Sequence, residues 1–291
     1  MPYVARRASL ALLPVCLCVW VCNCGPPQKA PASAPSGLAF RYEWVGDIEE
    51  SGFNEPSGIV FHAARGTLFV VGDEGDICEM TTDGQMLRQR SLQPKADLEG
   101  LAVVPRTGLL YVAVEGAERI LEIDPEGFSV MRQFTIPRWA DGEELFKPGG
   151  QGIEGICFVP EPGHPHGGTF FVANQSFTEE PGRERSLIVQ VELPLGSAST
   201  EPVRVLKWFP PGVIDIGALH YQEHTGHLFA VSDAQNMLIE MDAEGRALRC
   251  WAFPGANQEG LTTDREGFMY VAQDSGGVIK IRPLWRTASG R

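Results

Sequence analysis

Three short stretches set a glutamate against a glycine and an apolar residue: "DLEGLA" from Asp97, "GIEGIC" from Gly152 and "NQEGLT" from Asn257. Carboxylates are hard oxygen donors, and several brought to one place repel each other unless a cation or a proton intervenes. Glu99, Glu154 and Glu259 are therefore candidate metal ligands, provided that the fold makes them converge. A second set of oxygen-bearing residues stands further along each repeat: Asp73-Glu74, Glu115, Asn174-Gln175, Asp233 and Gln273-Asp274. No Lys or Arg recurs at these positions to offset the charge. The competing reading is a polar rim in which each acid keeps its own water.

The elements that must position these groups are repeats. Aligned on an early glycine (Gly58, Gly100, Gly155, Gly217, Gly260), five units appear, and a second glycine closes a turn in each at Gly66, Gly108, Gly168, Gly226 and Gly267. The third unit is longer because "EPGHPHG" is inserted. Two further strands follow in "ICEMTTDGQMLRQRSL", "ILEIDPEGFSVMRQFTI" and "LIEMDAEGRALRCWAF", joined by Asp-Gly or Glu-Gly turns suited to hairpins. Four antiparallel strands per unit, repeated, predict an all-β, five-bladed β-propeller. The last unit runs out after "GVIKIRPL", so "LAFRYEWVGDI" (Leu38–Ile48) is expected to supply its fourth strand and close the ring. The propeller then spans residues 38–285, with 286–291 as a tail.

In such a blade the residue before the early glycine and the residues after the second strand share one mouth of the central channel. That mouth would gather Ser57, Glu99, Glu154, Ile216 and Glu259, with Glu55, Asp97 and Asp215 within two residues. Calcium, which takes about six to eight oxygen ligands, is the expected occupant. The glycine has its own reading: it lets the backbone crowd the axis.

With "DLEGLA", "GIEGICF" and "NQEGLTTDREGFMYVAQ" in place, the chain resembles the SdiA-regulated family of bacterial envelope proteins from roughly Phe53 to Leu284. The resemblance implies a five-bladed propeller, distantly similar to NHL-repeat proteins, with a calcium site. It carries Glu99, Glu154 and Glu259 over as ligands. The fourth unit departs from the pattern, reading "IDIG" where an Asp-x-Ser-Gly would be expected, so Asp215 joins the ligand set in an open register. No reaction is implied by the family.

The chain has 37 Asp and Glu against 24 Lys and Arg, a formal charge of −13, and no basic stripe. That balance argues against nucleic acid and anionic lipid surfaces as partners. At the N-terminus, Arg6-Arg7 precede an apolar run from Leu10 to Cys22, which reads as an export signal over residues 1–23. It is similar to a lipoprotein signal, with Cys24 as the lipidation candidate, Cys22 second, and residues 24–37 as a flexible tether. The expectation is an exported monomer at the cell envelope, on the outer membrane or the periplasmic face, held to the membrane by its N-terminal lipid alone. A soluble exported protein is the alternative. Cys78, Cys157 and Cys250 form no disulfide framework and read as buried small hydrophobes.

No GxSxG elbow, P-loop or HExxH occurs. His164, His166, His220, His224 and His227 fall near turns on the face away from the carboxylates, as solvated histidines or, alternatively, a zinc site. The expected role is binding an envelope protein or a small-molecule ligand. The alternative is a calcium-dependent hydrolase of a small ester or lactone, resembling the gluconolactonase type, with the metal acting as a Lewis acid. Two loops on the carboxylate face, "PRWADGEELFKPGGQG" and "QSFTEEPGRERS", read as ordinary loop variation or, alternatively, as a flap that shapes a partner or ligand site, with Trp139, Phe146 and Phe177 as apolar anchors.

Overall fold

The computed structural model describes residues 38–48, 53, 55–147, 152–178, 180, 183–196 and 201–284. The export signal at 1–23, Cys24, the tether and the tail at 286–291 lie outside the described residues.

Five four-stranded antiparallel units follow one another along the chain, as the repeats require, and no helix occurs among the described residues. Blade 1 comprises Pro56–His62, Thr67–Gly72, Asp76–Met80 and Met86–Ser91; blade 2 comprises Leu98–Val103, Leu110–Val114, Arg119–Asp124 and Ser129–Thr135. Ile153–Pro160, Gly168–Asn174, Ile188–Glu192 and Arg204–Phe209 form blade 3. Blade 4 is built from Ile216–Gln222, His227–Ser232, Met237–Met241 and Ala247–Ala252. Gln258–Thr263, Met269–Gln273 and Val278–Pro283 supply three strands of blade 5. Its fourth is Tyr42–Asp47, antiparallel to Val278–Pro283 with Tyr42 opposite Pro283, so the ring closes as expected.

One pairing was not foreseen. Leu38–Ala39 lies parallel to Trp251 and Ala252 on the outer edge of blade 4, so the entering chain straps blade 4 to blade 5. Phe40 packs there edge-on against Trp251 and Phe253.

The second strands are buried along nearly their whole length, whereas the outermost strands expose most of their residues. The apolar side chains form five clusters, each shared by neighbouring blades, rather than one central core. Phe146 belongs to the cluster between blades 2 and 3 and is fully buried, so it holds its loop to the body and anchors no flap. Trp139 and Phe177 are more than half exposed. All three propeller cysteines are buried and none forms a disulfide.

The ladders also correct the alignment of unit four. In blade 5, Gln258 pairs with Gln273 and Gly260 with Ala272, leaving Glu259 as the extra residue of a bulge. In blade 4, Ile216 pairs with Ser232 and Ala218 with Val231, leaving Gly217 extra. Gly217 therefore occupies the place of the glutamates, and Ala218 the place of the early glycines. At those glycines the inner strands nearly touch: a Cβ on Gly100 would stand 2.2 Å from the carbonyl oxygen of Glu154 on the next blade.

Candidate metal site

The bulge in each innermost strand turns one residue out of the ladder, and those residues are Ser57, Glu99, Glu154, Gly217 and Glu259. Two positions earlier stand Glu55, Asp97, Gly152, Asp215 and Asn257. Directly after the second strand come Asp73, Glu115, Gln175, Asp233 and Asp274. Backbone hydrogen bonds tie these last two sets together. The amides of Glu115, Gln175, Asp233 and Asp274 donate to the carbonyls of Asp97, Gly152, Asp215 and Asn257, at 3.0, 3.1, 3.1 and 2.9 Å. The shared mouth inferred from strand direction is thus built by a bond repeated in four blades.

Carboxylate oxygens of Asp73, Asp97 and Glu99 lie within 4.8 Å of one another, and so do those of Glu99, Glu115 and Glu154. Two oxygens bound to one calcium at about 2.3–2.6 Å can be no more than about 5 Å apart, so both groups fit a common cation. Glu99 and Glu154 are buried, while Asp73, Asp97, Glu115, Asp233, Asp274 and Glu259 are partly exposed. Among the described residues no Lys or Arg pairs with Glu99, Glu154 or Glu259.

The electrostatics record that crowding. Burial, then Glu154, pushes Glu99 well above the usual carboxylate range; burial, then Glu259, does the same to Glu154. Burial and the neighbouring Glu115 raise Asp97 to about 7. Glu259 rises to about 8 through burial and then the charges of Asp233 and Asp215. Asp73 and Asp215 are also raised by burial, against a hydrogen bond from the Ser57 hydroxyl and one from the Ala234 amide, the latter at 2.7 Å. Oδ1 of Asp215 and Oε2 of Glu259 are buried and have no hydrogen-bond partner. Buried oxygens without donors are costly, and a cation would satisfy them.

Individual assignments shift within this frame. Asp215 does reach the mouth, but at the level of Asp97 and not of the three glutamates. Gly217, at the glutamate level, leaves room for its neighbour: a Cβ there would meet Oε2 of Glu259 at 2.4 Å. Asn174 is turned away from the axis set. Its side-chain oxygen accepts from the Leu187 amide at 2.6 Å and its amide donates to the Arg185 carbonyl at 3.0 Å, so it pins the following loop. Gln175, the next residue, takes the mouth position. Glu115 and Asp233 each accept one backbone amide, from Gly152 at 3.2 Å and Gln258 at 2.8 Å. The acid clusters can hold a metal, and an all-oxygen donor set selects a hard cation.

The histidines stand away from this mouth. His227 lies 2.6 Å from Glu240, His164 contacts Glu192 at 3.3 Å, and His220 bonds Thr263 at 2.9 Å. Among the described residues they join no cluster suited to zinc.

A family model described as SdiA-regulated matches residues 40–275. The crystal structure of Myxococcus xanthus glutaminyl cyclase is similar, with a TM-score of 0.59 and 12% identity over 84% of this chain and 98% of that one. At that identity the likeness shows the propeller fold alone. The Cps50 (Swd1) β-propeller domain of Myceliophteria thermophila gives a TM-score of 0.43 and 15% identity, over 86% of this chain and 71% of that one.

Proposed function

The chain belongs to the SdiA-regulated family, and from that premise we propose that it is a calcium-binding propeller serving as a binding module at the bacterial cell envelope. The observation that carries the cation is the convergence of unpaired carboxylates on one mouth, with two buried oxygens lacking any donor. Glu99, Glu154 and Glu259 would form the inner ligand set, with Asp215 contributing from the level of Asp97. Asp73, Asp97, Glu115, Asp233 and Asp274 would lie around it. Calcium there supplies neutralising charge, and the mouth becomes a stiff surface for an envelope protein or a small ligand. The lipid on Cys24 would hold a monomer to the outer membrane or the periplasmic face. A Cys24→Ser variant should move from the membrane to the soluble fraction; unchanged membrane association would refute that anchor.

Calorimetric titration of the chelator-stripped protein with calcium tests the site. Saturable binding is expected in the parent, weakened at least about 100-fold in Glu154→Gln and Glu259→Gln, because each variant removes a charged ligand from a crowded set. No heat of binding in the parent would overturn the reading. One feature favours hydrolysis of a small lactone or ester as a second reading: Asp97 is a carboxyl partly exposed beside the metal site and could act there as an acid or base. Calcium-dependent turnover that is lost in Asp97→Asn would support it.

A further inference from the structure

The inner strands crowd the channel axis at their glycines, where a Cβ on Gly58 or Gly100 would stand 2.2 Å from the next blade's backbone. At the level of the inner glycines only ≈ 10 Å³ remains open, too little for more than a single water. Beyond that layer, on the face opposite the carboxylates, the channel widens into a cup of ≈ 780 Å³. Leu101, Ile156, Leu219 and Leu261, one from each of four blades, form its floor, and Phe61 and Phe158 stand in its walls. Its volume and apolar lining fall in the range of small-molecule sites, about 300–1,000 Å³.

The polar side chains of the lining come from blades 4 and 5 and so stand on one side. His220 and Thr263, on neighbouring blades, meet through Nε2 and Oγ1 at 2.9 Å. His220 lines the cup, and with Nε2 engaged by Thr263 its Nδ1 carries no hydrogen bond among the described residues. Burial lowers this imidazole to about 4, leaving it neutral at physiological pH. The Cys157 thiol in the wall is pushed up by burial and stays protonated. The rim mixes both signs, with Glu223, Asp264 and Glu266 against Arg265 and Arg282, so it offers no strong field of either sign to a charged ligand.

We propose that this cup binds an uncharged, largely apolar small molecule carrying one hydrogen-bonding group, which Nδ1 of His220 meets. The site is separate from the cation mouth, because the glycine layer divides them, and it stands whether or not calcium binds.

The test is fluorescence titration of the purified protein with N-phenyl-1-naphthylamine, a neutral apolar probe with one N–H. Saturable one-to-one binding is expected, equal with calcium and with chelator. It should weaken at least tenfold in Ala63→Trp, which fills the cup from a partly exposed position, and about fivefold in His220→Phe, which keeps the volume and loses one hydrogen bond. Should Ala63→Trp fail to fold, Val103→Trp, also at a partly exposed lining position, fills the same space. No saturable binding, or binding undiminished by the filling variant, overturns the site. Undiminished binding in His220→Phe alone overturns the hydrogen bond assigned to the imidazole.

Discussion

At the scale of single residues, the mouth acids are held in a state that water would not choose. A carboxyl whose folded pKa is raised keeps a proton that the unfolded chain releases. Its stabilising contribution is complete below the unfolded value and is lost as pH rises through the folded one. With Asp97 at about 7 and Glu259 at about 8, the cation-free protein should lose stability progressively as pH rises to about 8. His220 acts in the opposite sense: its depressed value, about 4, costs stability as pH falls below about 6.5. The window from pH 6.5 to 8 therefore isolates the acids. Thermal melts of chelator-treated protein should show the midpoint falling across that window, and saturating calcium or Glu259→Gln should flatten the fall. A midpoint that rises with pH would contradict the crowding. The residue types were readable early, since an acid beside glycine at a strand start is unusual. The choice between Asn174 and Gln175 was not, because one position along a strand end reverses the direction of the side chain.

At the scale of the element, each innermost strand carries a bulge and a close approach to the next blade. The approach is backbone against backbone at Gly100, where a Cβ would also stand 2.7 Å from the Ile156 nitrogen. Gly100→Ala should thus destabilise the fold by on the order of 3 kcal/mol, as overpacking does. Gly217→Ala makes its closest contact with the free end of the Glu259 side chain, which can move aside. The Gln258 carbonyl oxygen also stands 3.0 Å from that Cβ, so a stability loss smaller than that of Gly100→Ala, with calcium affinity about tenfold weaker, is the expected result, and equal affinity would detach Gly217 from the site. The outer strands follow a second rule. Buried Glu79, Glu122 and Glu240 on third strands are met by Arg88, Arg132 and Arg249 on fourth strands, whereas blade 5 inverts the charge. There Lys280 donates to the Thr82 carbonyl at 2.8 Å and pairs with Asp83 at 2.9 Å, clasping blade 5 to blade 1.

For the whole molecule, stability resides in the contacts between blades, so the ring depends on being closed. Tyr42–Asp47 covers the last open edge, and Leu38–Phe40 binds the neighbouring blade. Removing residues 1–47 should expose the Val278–Pro283 edge, lower the melting midpoint by at least about 10 °C and promote association through the bare strand. A truncated protein that stays monomeric with the midpoint of the full chain would show that closure is dispensable.

The sequence alone determined the architecture, because turn glycines, alternating apolar runs and hairpin dipeptides are local signals that repeat five times. It also determined that acids collect at one mouth, since strand direction alone places both sets there. Tertiary structure decided what depends on register and on neighbours. In "DIGA" either Gly217 or Ala218 could match the early glycines, and only the hydrogen-bond ladder chooses. The parallel strap at Leu38 and the burial of Phe146 rest on contacts between residues distant in the chain. So does the neutral His220 at the wall of the cup. The distinction is physical: propensity and pattern act over a few residues, whereas a carboxylate's charge and an imidazole's proton answer to whatever the fold brings beside them.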